Sequence, residues 1–470
     1  MMKHSLHVFF THFLFFHLQA GVIYRIMKSN VLGGIRNMIE VSVLSLFAVA
    51  LVICIGYDIS ILIALVFGFF LFFGYGLLKQ HRVREMAVLA FSGVKTVKNV
   101  LITFVLIGII TATWRVCGTI PYIVYHATEV CSPGIMVLVT FLLCCLISAL
   151  TGTAFGTAAT MGVICVTMSS SMGIPLLYSG GAMLAGSFFG DRCSPMSTSA
   201  LLVSTVTGTD LYRNIGNMVK TSVVPFVITC VVYAVLGMGT SGNFDTTQIQ
   251  TLFADNFVLH PGAIIPAAVI ILLSCFRVNV KITMTVSILC GMVIAFFIQG
   301  ASLGQLLNIA LWGYKPENPE VAALLSGGGI QSMVKVFCIV CLSSCYSGMF
   351  RGTGLLEGFR SGLNRLSTRT LPFGSILVTS ILTVMVSCNQ ALAIMLTHQL
   401  CMDVEPDSET MASHLENTAV VVAPLIPWSI AGAVPLATVG APTACILTAC
   451  YLYLLPVWNY LVAIYNHRRK

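Results

Sequence analysis

The sequence predicts an all-α, polytopic membrane helical bundle with two inverted repeats and broken or re-entrant helices. The chain has 470 residues, of which 57% are hydrophobic and only 9% are charged. A soluble domain carries about 25% charged residues, so this chain could not cover a water-facing surface. Its apolar segments are long runs without the period-two alternation of barrel strands, which favours membrane-spanning helices.

The apolar runs divide the chain into spans and loops. A crossing needs about 20 apolar residues, so the runs predict about 10 to 13 crossings. They lie near 41–57, 59–78, 100–118, 135–151, 153–172, 175–190, 219–238, 262–276, 282–299, 333–349, 372–400 and 430–464. We expect five regions: an N-terminal segment 1–40, a first transmembrane half 41–238, an external acidic loop 239–261, a second transmembrane half 262–464 and a basic tail 465–470.

Charged residues lie mainly between the apolar runs, and their sign alternates along the chain. Lys79, Arg82 and Arg84 follow the second run, whereas the loop from Asp403 to Glu409 is acidic. Because cytoplasmic loops carry an excess of Lys and Arg, we expect a multi-pass protein of the cytoplasmic membrane with both termini in the cytoplasm. No basic patch is interleaved with exposed aromatic residues, so the predicted partner is the lipid bilayer and not nucleic acid.

Enzyme and cofactor motifs find no support in the sequence. The 17 cysteines lie mostly inside apolar runs, and no CxxC motif pairs with a second one at zinc spacing. There is no HExxH or Walker A motif, and the glycines of Ser326–Gly329 lack the strand and helix of a phosphate loop. We therefore expect no enzyme activity and no cofactor, and uphill transport would have to draw on an ion gradient.

Two irregular stretches, 135–213 and 372–410, share one pattern. Each opens with an apolar span that runs into small and hydroxyl residues, and each is followed by an acidic residue near proline. The charge pattern gives the two stretches opposite directions through the membrane. Two similar units of opposite sense are what an inverted repeat leaves in a sequence.

The first unit is rich in glycine and threonine between Thr151 and Thr160. Thr153, Thr157 and Thr160 fall at i, i+4 and i+7, so they share one helix face. Two interpretations remain open. The threonines serve helix packing by bonding back to their own carbonyls, or they line a partly unwound element beside an ion pathway.

Asp191 lies between Gly190 and Pro195 in a long apolar setting. A carboxylate there costs about 2.5–3.5 kcal/mol on insertion scales unless it is paired or hydrated. Glycine and proline disturb a helix, and an unwound turn frees carbonyl oxygens. Hydroxyls would complete a set of hard oxygen ligands for a small cation, namely those of Ser194, Ser197 and Thr198. The alternative is a short loop in which Asp191 pairs with Arg192.

The second unit has polar residues deep in apolar surroundings. Asn389 and Gln390 need partners in lipid, either as glue between helices or as carbonyl ligands. Glu416 follows at the mouth of an apolar segment that two prolines break. A carboxyl group in a partly dry site can load and release protons, and the alternative is a charge at a helix N-terminus.

Three segments resemble the NhaC-type family of Na⁺/H⁺ antiporters. They are Gly152–Thr157, Phe189–Pro195, and Glu416–Thr418 together with Pro424–Trp428. The resemblance spans most of the chain, from about residue 41 to about residue 464. It implies a secondary transporter of the cytoplasmic membrane that exchanges Na⁺ for H⁺, and some relatives exchange organic acids such as malate and lactate.

The chain departs from this family at three positions. Many members carry an acidic residue where this chain has Thr198, and Asp where it has Asn389 and Asn417. Fewer carboxylates mean fewer titratable groups, which leaves the coupling ratio and the transported species open. Asp191 and Glu416 remain as the carboxylate pair.

The residues and the resemblance together predict one site between the two halves. Asp191 is expected to be the main ligand of the transported Na⁺ and the proton acceptor, with Glu416 as the second carboxylate. The assisting residues are Ser194, Thr153 and Thr157 on one side, and Asn417, Thr418 and Asn389 on the other. Na⁺ and H⁺ would compete for the same carboxylates, which gives obligatory exchange.

The alternatives use the same scaffold or another class of protein. An exchanger of small organic acids or amino acids would bind a substrate carboxylate with Arg192 or Arg115. Arg115 lies in an apolar span, where it would otherwise pair with a buried carboxylate or reach the outer interface. An intramembrane enzyme would need a nucleophile and a base, and no such set is evident. The sequence leaves the oligomeric state open, with a homodimer as one option.

Overall fold

The computed structural model describes residues 35–56, 59–130, 132–239, 246–276, 278–355 and 371–469. These residues form helices joined by turns, with one isolated β-bridge between Tyr314 and Gly327. Most of the predicted N-terminal segment 1–40, and the basic loop that holds Arg360 and Arg365, lie outside the described residues.

The helices from Ile35 to Asn256 are α1 (Ile35–Gly56), α2 (Ile61–Leu78), α3 (Val83–Thr96), α4 (Lys98–Val116), α5 (Thr119–Val130), α6 (Pro133–Thr151), α7 (Ala154–Ser171), α8 (Leu176–Cys193), α9 (Thr198–Thr207), α10 (Leu211–Met238) and α11 (Thr246–Asn256). The first unit consists of α6 to α10. Helices α1 to α5 precede it, and the short helix α11 follows it. Helix α7 contains a π-helical turn at Ala158–Gly162.

The second unit starts at Pro372, after a group of connecting helices. The connecting helices are α12 (Ile265–Cys275), α13 (Val280–Phe297), α14 (Leu303–Trp312), α15 (Pro319–Leu325) and α16 (Gly329–Thr353). The second unit contains α17 (Pro372–Ser387), α18 (Gln390–Cys401), α19 (Ser408–Asn417), α20 (Ala419–Val422), α21 (Ile430–Thr438) and α22 (Cys450–Arg469).

Among the described residues, four helices are long and apolar enough to cross a membrane, and three bent pairs raise that number to seven. The four are α6, α7, α10 and most of α16, and the pairs bend by 53°, 61° and 103°. Shorter apolar helices accompany them, so the predicted 10 to 13 crossings stay a prediction. The apolar helices and broken pairs confirm the predicted polytopic helical membrane bundle.

Each unit contains a helix that stops and restarts. Helix α6 ends where Gly152 is left-handed (φ 65°, ψ 25°), and Thr153 is extended before α7 begins. Helix α17 ends where Cys388 has φ 55° and ψ 8°, and Asn389 is extended before α18 begins. In both breaks, a side-chain oxygen of the extended residue accepts a backbone N–H of the next helix. The same backbone conformation occurs twice, as an internal repeat requires.

A second pair of matching turns follows in the two units. Before α9, the Ser197 N–H donates to the Ser194 carbonyl at 3.1 Å, and Ser197 then caps the helix. Before α21, the Ser429 N–H donates to the Ile426 carbonyl at 2.9 Å, and Ser429 caps the helix. A proline is the second residue of each turn. A repeat is therefore visible in the backbone, but its second copy extends beyond the predicted stretch 372–410, because the matching turn lies at Ile426–Ser429. Its opposite sense in the membrane stays a prediction.

The two units pack into one another. Helix α9 of the first unit packs against α18 and α19 of the second, while α21 of the second packs against α8 and the π-helical turn of α7. Helix α10 also contacts both α19 and α22. The short helix of each unit thus lies against the broken helix of the other, and the ends of α8 and α19 belong to this interface.

Glycines bring α8 into close contact with α6. A Cβ atom on Gly186 would lie 2.5 Å from the Phe141 carbonyl oxygen, and one on Gly190 would lie 2.2 Å from the Ala149 nitrogen. Small residues four positions apart are what allow membrane helices to approach so closely. The contact at Gly190 places Asp191 directly beside the break that follows α6.

Candidate functional site

Asp191 occupies the last turn of α8 and is 6% exposed. Its carboxylate accepts hydrogen bonds from the Ser199 hydroxyl at 3.0 Å, the Ser197 hydroxyl at 3.4 Å and the Gln390 amide at 3.4 Å. The Ser199 hydroxyl also faces the Asp191 carbonyl oxygen at 3.0 Å. These donors compensate the carboxylate for the loss of water.

Both broken helices restart next to Asp191. The backbone N–H of Ala154, the first residue of α7, lies near the carboxylate. Gln390, the first residue of α18, donates to Asp191 and to the Val420 carbonyl at 3.0 Å. Helix N-termini carry partial positive charge, so their meeting point favours a carboxylate. Unwound backbone at such a point is also the usual place of ion sites in secondary transporters.

Glu416 is fully buried in the last turn of α19. Both of its carboxylate oxygens are buried without a hydrogen-bond partner. The charges of Arg192 and Asp191 both act on this carboxyl group. Buried polar atoms normally have partners, so two bare oxygens mark a place that a proton or a cation would fill. Glu416 lies at the C-terminal end of α19 and three residues before α20 starts at Ala419, so the alternative of a charge at a helix N-terminus stays a prediction.

Arg192 is fully buried and joins four helices. Its Nε atom donates to the Glu416 carbonyl at 3.0 Å, and Nη2 donates to the Asn417 side-chain oxygen at 2.5 Å. The other donations go to α10 and α22, at Met218, Thr221, Ser222 and Tyr451, and to the neighbouring Cys193. No ion pair between Asp191 and Arg192 occurs in the described part of the chain, so the predicted alternative of a paired loop is wrong.

The first-unit residues predicted to assist Asp191 make other contacts. The Thr153 side chain caps α7, and the Thr157 hydroxyl donates to the Thr153 carbonyl at 2.9 Å. The Ser194 hydroxyl donates to the Ala149 carbonyl at 2.7 Å and so ties the end of α8 to α6. The threonines bond to their own backbone, as the first interpretation predicts, and the chain is unwound at Gly152 and Thr153. That this element lies beside an ion pathway stays a prediction.

The second-unit residues divide in the same way. Asn389 caps α18 by accepting the Leu392 N–H at 3.3 Å, and Asn417 accepts from Arg192. The Thr418 hydroxyl donates to the His414 carbonyl at 2.7 Å. These residues shape the segments that hold Asp191 and Glu416, and their roles as ion ligands stay predictions.

Arg115 lies apart from this group. Its Nη1 atom donates to the Thr111 carbonyl of its own helix at 3.1 Å, and its Nε atom has no partner. Helix α4 packs mainly on α13, α14 and α16, away from α8 and α19. Within the described ranges no carboxylate pairs with Arg115, so the predicted pairing is wrong there.

Sequence reasoning misses Ser199, one of the three side chains that bond to Asp191. Ser197 was among the predicted hydroxyls, whereas Ser199 was not, and Thr198 between them is exposed. The sequence predicts both Asn389 and Gln390 as glue between helices or as carbonyl ligands, and the predicted site contains only Asn389 of the two. The start of α18 could have identified Gln390 as a site residue. The side chain of an N-cap residue such as Asn389 bonds to the backbone of its own helix, so the side chain of the next residue is free to face the site.

The arrangement is suited to a small monovalent cation and to protons. Hydroxyl groups both donate and accept, so Ser197 and Ser199 can turn their lone pairs toward a cation that binds Asp191. An amide side chain offers an oxygen as well as a nitrogen, so Gln390 can do the same after rotation. Carboxylate, hydroxyl and amide oxygens are hard ligands, which suit alkali and alkaline-earth cations.

The chain matches the family model described as the Na⁺/H⁺ antiporter family, over residues 29–210 and 186–465. It is 27% identical over 430 residues to the Na⁺/H⁺ antiporter NhaC of Alkalihalophilus pseudofirmus strain OF4, covering 89% of this chain and 91% of the relative. It is 25% identical over 421 residues to the malate-2H⁺/Na⁺-lactate antiporter of Bacillus subtilis, covering 87% and 88%. It is 27% identical over 352 residues to the arginine/ornithine antiporter ArcD of Halobacterium salinarum, covering 72% of each.

Proposed function

The chain belongs to the Na⁺/H⁺ antiporter family, and we propose that it is a secondary active transporter that exchanges Na⁺ for H⁺ across the cytoplasmic membrane. It is a multi-pass membrane protein, and its proposed orientation has both termini in the cytoplasm. The observation that carries this proposal is the pair of buried carboxyl groups, Asp191 at the two helix breaks and Glu416 with both oxygens bare.

Asp191 is the proposed principal ligand of Na⁺. It lies where two helices restart, and its hydrogen-bond donors are side chains that can also offer oxygen lone pairs. When a Na⁺ ion enters this site, the hydrogen bonds that Ser197, Ser199 and Gln390 donate to Asp191 would be replaced by coordination of Na⁺ by the oxygen atoms of these side chains. No large movement of the backbone is needed for that change.

Glu416 is the proposed second carboxylate, which loads a proton when Na⁺ is absent. A protonated carboxyl group carries no net charge and tolerates a site that lacks hydrogen-bond donors better than a carboxylate does. Because the charges of Glu416 and Asp191 act on each other, a cation at one site weakens the attraction of the other for a second cation. Competition of this kind couples Na⁺ release to H⁺ uptake.

The alternative is an exchanger of organic acids, and the hydrogen bonds of Arg192 do not favour this alternative. All three guanidinium nitrogens donate to protein groups, and the side chain is fully buried. It therefore has no free donor for a substrate carboxylate in this conformation. Arg115 has a free Nε atom but does not belong to the Asp191 site.

The test is transport by the purified protein in proteoliposomes with an imposed proton gradient and an internal pH dye. Addition of Na⁺ or Li⁺ should collapse the gradient in the wild type but not in Asp191→Asn. The matched control is Asp255→Asn, since Asp255 is an exposed carboxylate on α11. Exchange at the wild-type rate in Asp191→Asn would refute the site, and a response to malate, lactate or arginine without a response to Na⁺ would favour the alternative.

A further inference from the structure

Few charged side chains belong to the interface between the two units. Helices α6, α7, α9, α17, α18, α20 and α21 contain no Asp, Glu, Lys or Arg. Arg213 and Lys220 of α10 are exposed, and Arg213 pairs with Glu409 at 2.7 Å. The basic residues of α22 lie in its last turn.

Three buried charged groups remain in the described part of this interface: Asp191, Arg192 and Glu416. Among other titratable groups, Cys193 on α8 and Tyr451 on α22 accept hydrogen bonds from Arg192, and His414 on α19 packs against Phe373. Of these, neutral Cys and Tyr add no charge, and His414 donates no hydrogen bond from its buried Nδ1. The two carboxylates therefore share one permanent counter-charge, that of Arg192.

Other buried ionisable groups do not alter this balance. Glu40 has its own partner, Lys79, at 3.1 Å between α1 and α2. Arg115 lies on α4, which packs mainly on α13, α14 and α16. Neither helps to neutralise the Asp191 and Glu416 carboxylates by direct contact.

We propose that Arg192 is a fixed counter-charge that limits the site to one monovalent cation per crossing, so that one Na⁺ exchanges for one H⁺ and exchange is electroneutral. This inference rests on the proposed function. With both carboxylates ionised, the set of three carries one negative charge, and a single monovalent cation brings it to neutrality. Uncompensated charge in a membrane interior is costly, so the neutral, singly loaded forms are those that cross. Asn389 and Asn417 are amides and add no further proton sites.

The geometry fits a fixed charge better than a mobile ligand. Arg192 donates to the main chain at Glu416 and Met218 and to side chains of α10, α19 and α22. Leaving this position would break all of these bonds at once. Its location in the last turn of α8 also places its positive charge at the favourable end of that helix.

The test is a null-point measurement on the full-length wild-type protein in proteoliposomes. K⁺ and valinomycin clamp the membrane potential, and the Na⁺ ratio that stops proton movement is determined at a fixed pH difference. If one Na⁺ exchanges for one H⁺, the Na⁺ ratio at the null point does not change when the clamped membrane potential is changed. Two protons for each Na⁺ would move the null Na⁺ ratio about tenfold for a tenfold change in the K⁺ ratio, because net charge then crosses the potential.

Two variants test the role of Arg192 itself. Arg192→Lys keeps the charge, so the rate of Na⁺-driven exchange at alkaline pH should rise with Na⁺ concentration with a Hill coefficient near one, as in the wild type. Arg192→Gln leaves two negative charges, so a neutral form needs two cations and the Hill coefficient should rise toward two. Wild-type exchange with a Hill coefficient of one in Arg192→Gln would overturn the counter-charge. If the variants do not insert, the wild-type measurement decides: a mobile null point overturns this inference alone, and no Na⁺- or Li⁺-driven proton movement overturns the proposed function with it.

Discussion

Replacing Gly190 by alanine should disable the transporter without removing any proposed ligand. The new Cβ atom would lie 2.2 Å from the Ala149 nitrogen and 2.3 Å from the Ser148 carbonyl carbon, both of them backbone atoms of α6. Ordinary contacts begin near 3.4 Å, so α8 must move away from α6 by roughly 1 Å. Overpacking of this kind costs about 1–3 kcal/mol.

The displacement falls on the residue that precedes Asp191. A misplacement of about 1 Å at a functional group can cost on the order of 10²-fold in rate. We therefore expect Na⁺-driven proton exchange to fall by roughly 10- to 100-fold in Gly190→Ala, measured as the initial rate of gradient collapse at equal amounts of inserted protein.

Gly216→Ala is the matched control for this experiment. Gly216 lies within α10, and nothing is within 4 Å of a Cβ atom placed there. Alanine at such a position should stabilise the helix by about 0.5–1 kcal/mol and leave exchange unchanged. Wild-type exchange in Gly190→Ala would show that the contact between α6 and α8 does not position the site.

Three further predictions concern single residues. Gln390→Leu removes the amide oxygen proposed to turn from the Asp191 hydrogen bond toward Na⁺, so the Na⁺ concentration for half-maximal exchange should rise about tenfold, as expected for one polar contact to a charged group. Cys388→Gly should keep or raise the Tm of the purified protein and Cys388→Val should lower it, because φ 55° strains any side chain. Asp407 accepts two hydrogen bonds from Thr410, which lower the pKa of Asp407. Asp407→Ala should therefore lower Tm at neutral pH, and the difference should vanish as acid protonates the wild-type carboxylate below about pH 4.

Much of the site's neighbourhood could be predicted from the sequence. The apolar runs near 135–151 and 153–172 correspond closely to α6 and α7, and glycine marks the break between them at Gly152. The matching break in the second unit was harder to find. It falls inside one long apolar run, at Cys388, a residue type that rarely adopts positive φ. Tertiary packing, and not local preference, fixes the backbone there.

The partners of each polar side chain could not be predicted in the same way. Ser194, Ser197 and Ser199 are chemically alike, yet only the last two face Asp191, because Ser194 bonds to the end of α6. Which hydroxyl faces the carboxylate depends on the turn before α9 and on the approach of a neighbouring helix. Both are long-range features that residue spacing does not encode.

The two carboxylates are not equivalent in the repeat, and this bears on how exchange works. When the two matching turns are aligned, Ser194 of the first unit corresponds to Ile426 of the second. Asp191, three residues before Ser194, therefore corresponds to Ala423. Glu416 lies a further two helical turns back, in the body of the repeat. A symmetric scaffold thus carries an asymmetric site, in which one carboxylate sits at the helix breaks with donors and the other lies bare within the bundle. Such a division would allow the two halves to exchange conformations by symmetry, as alternating access requires, while the proposed cation ligand and the proposed proton carrier keep different chemistry in both conformations.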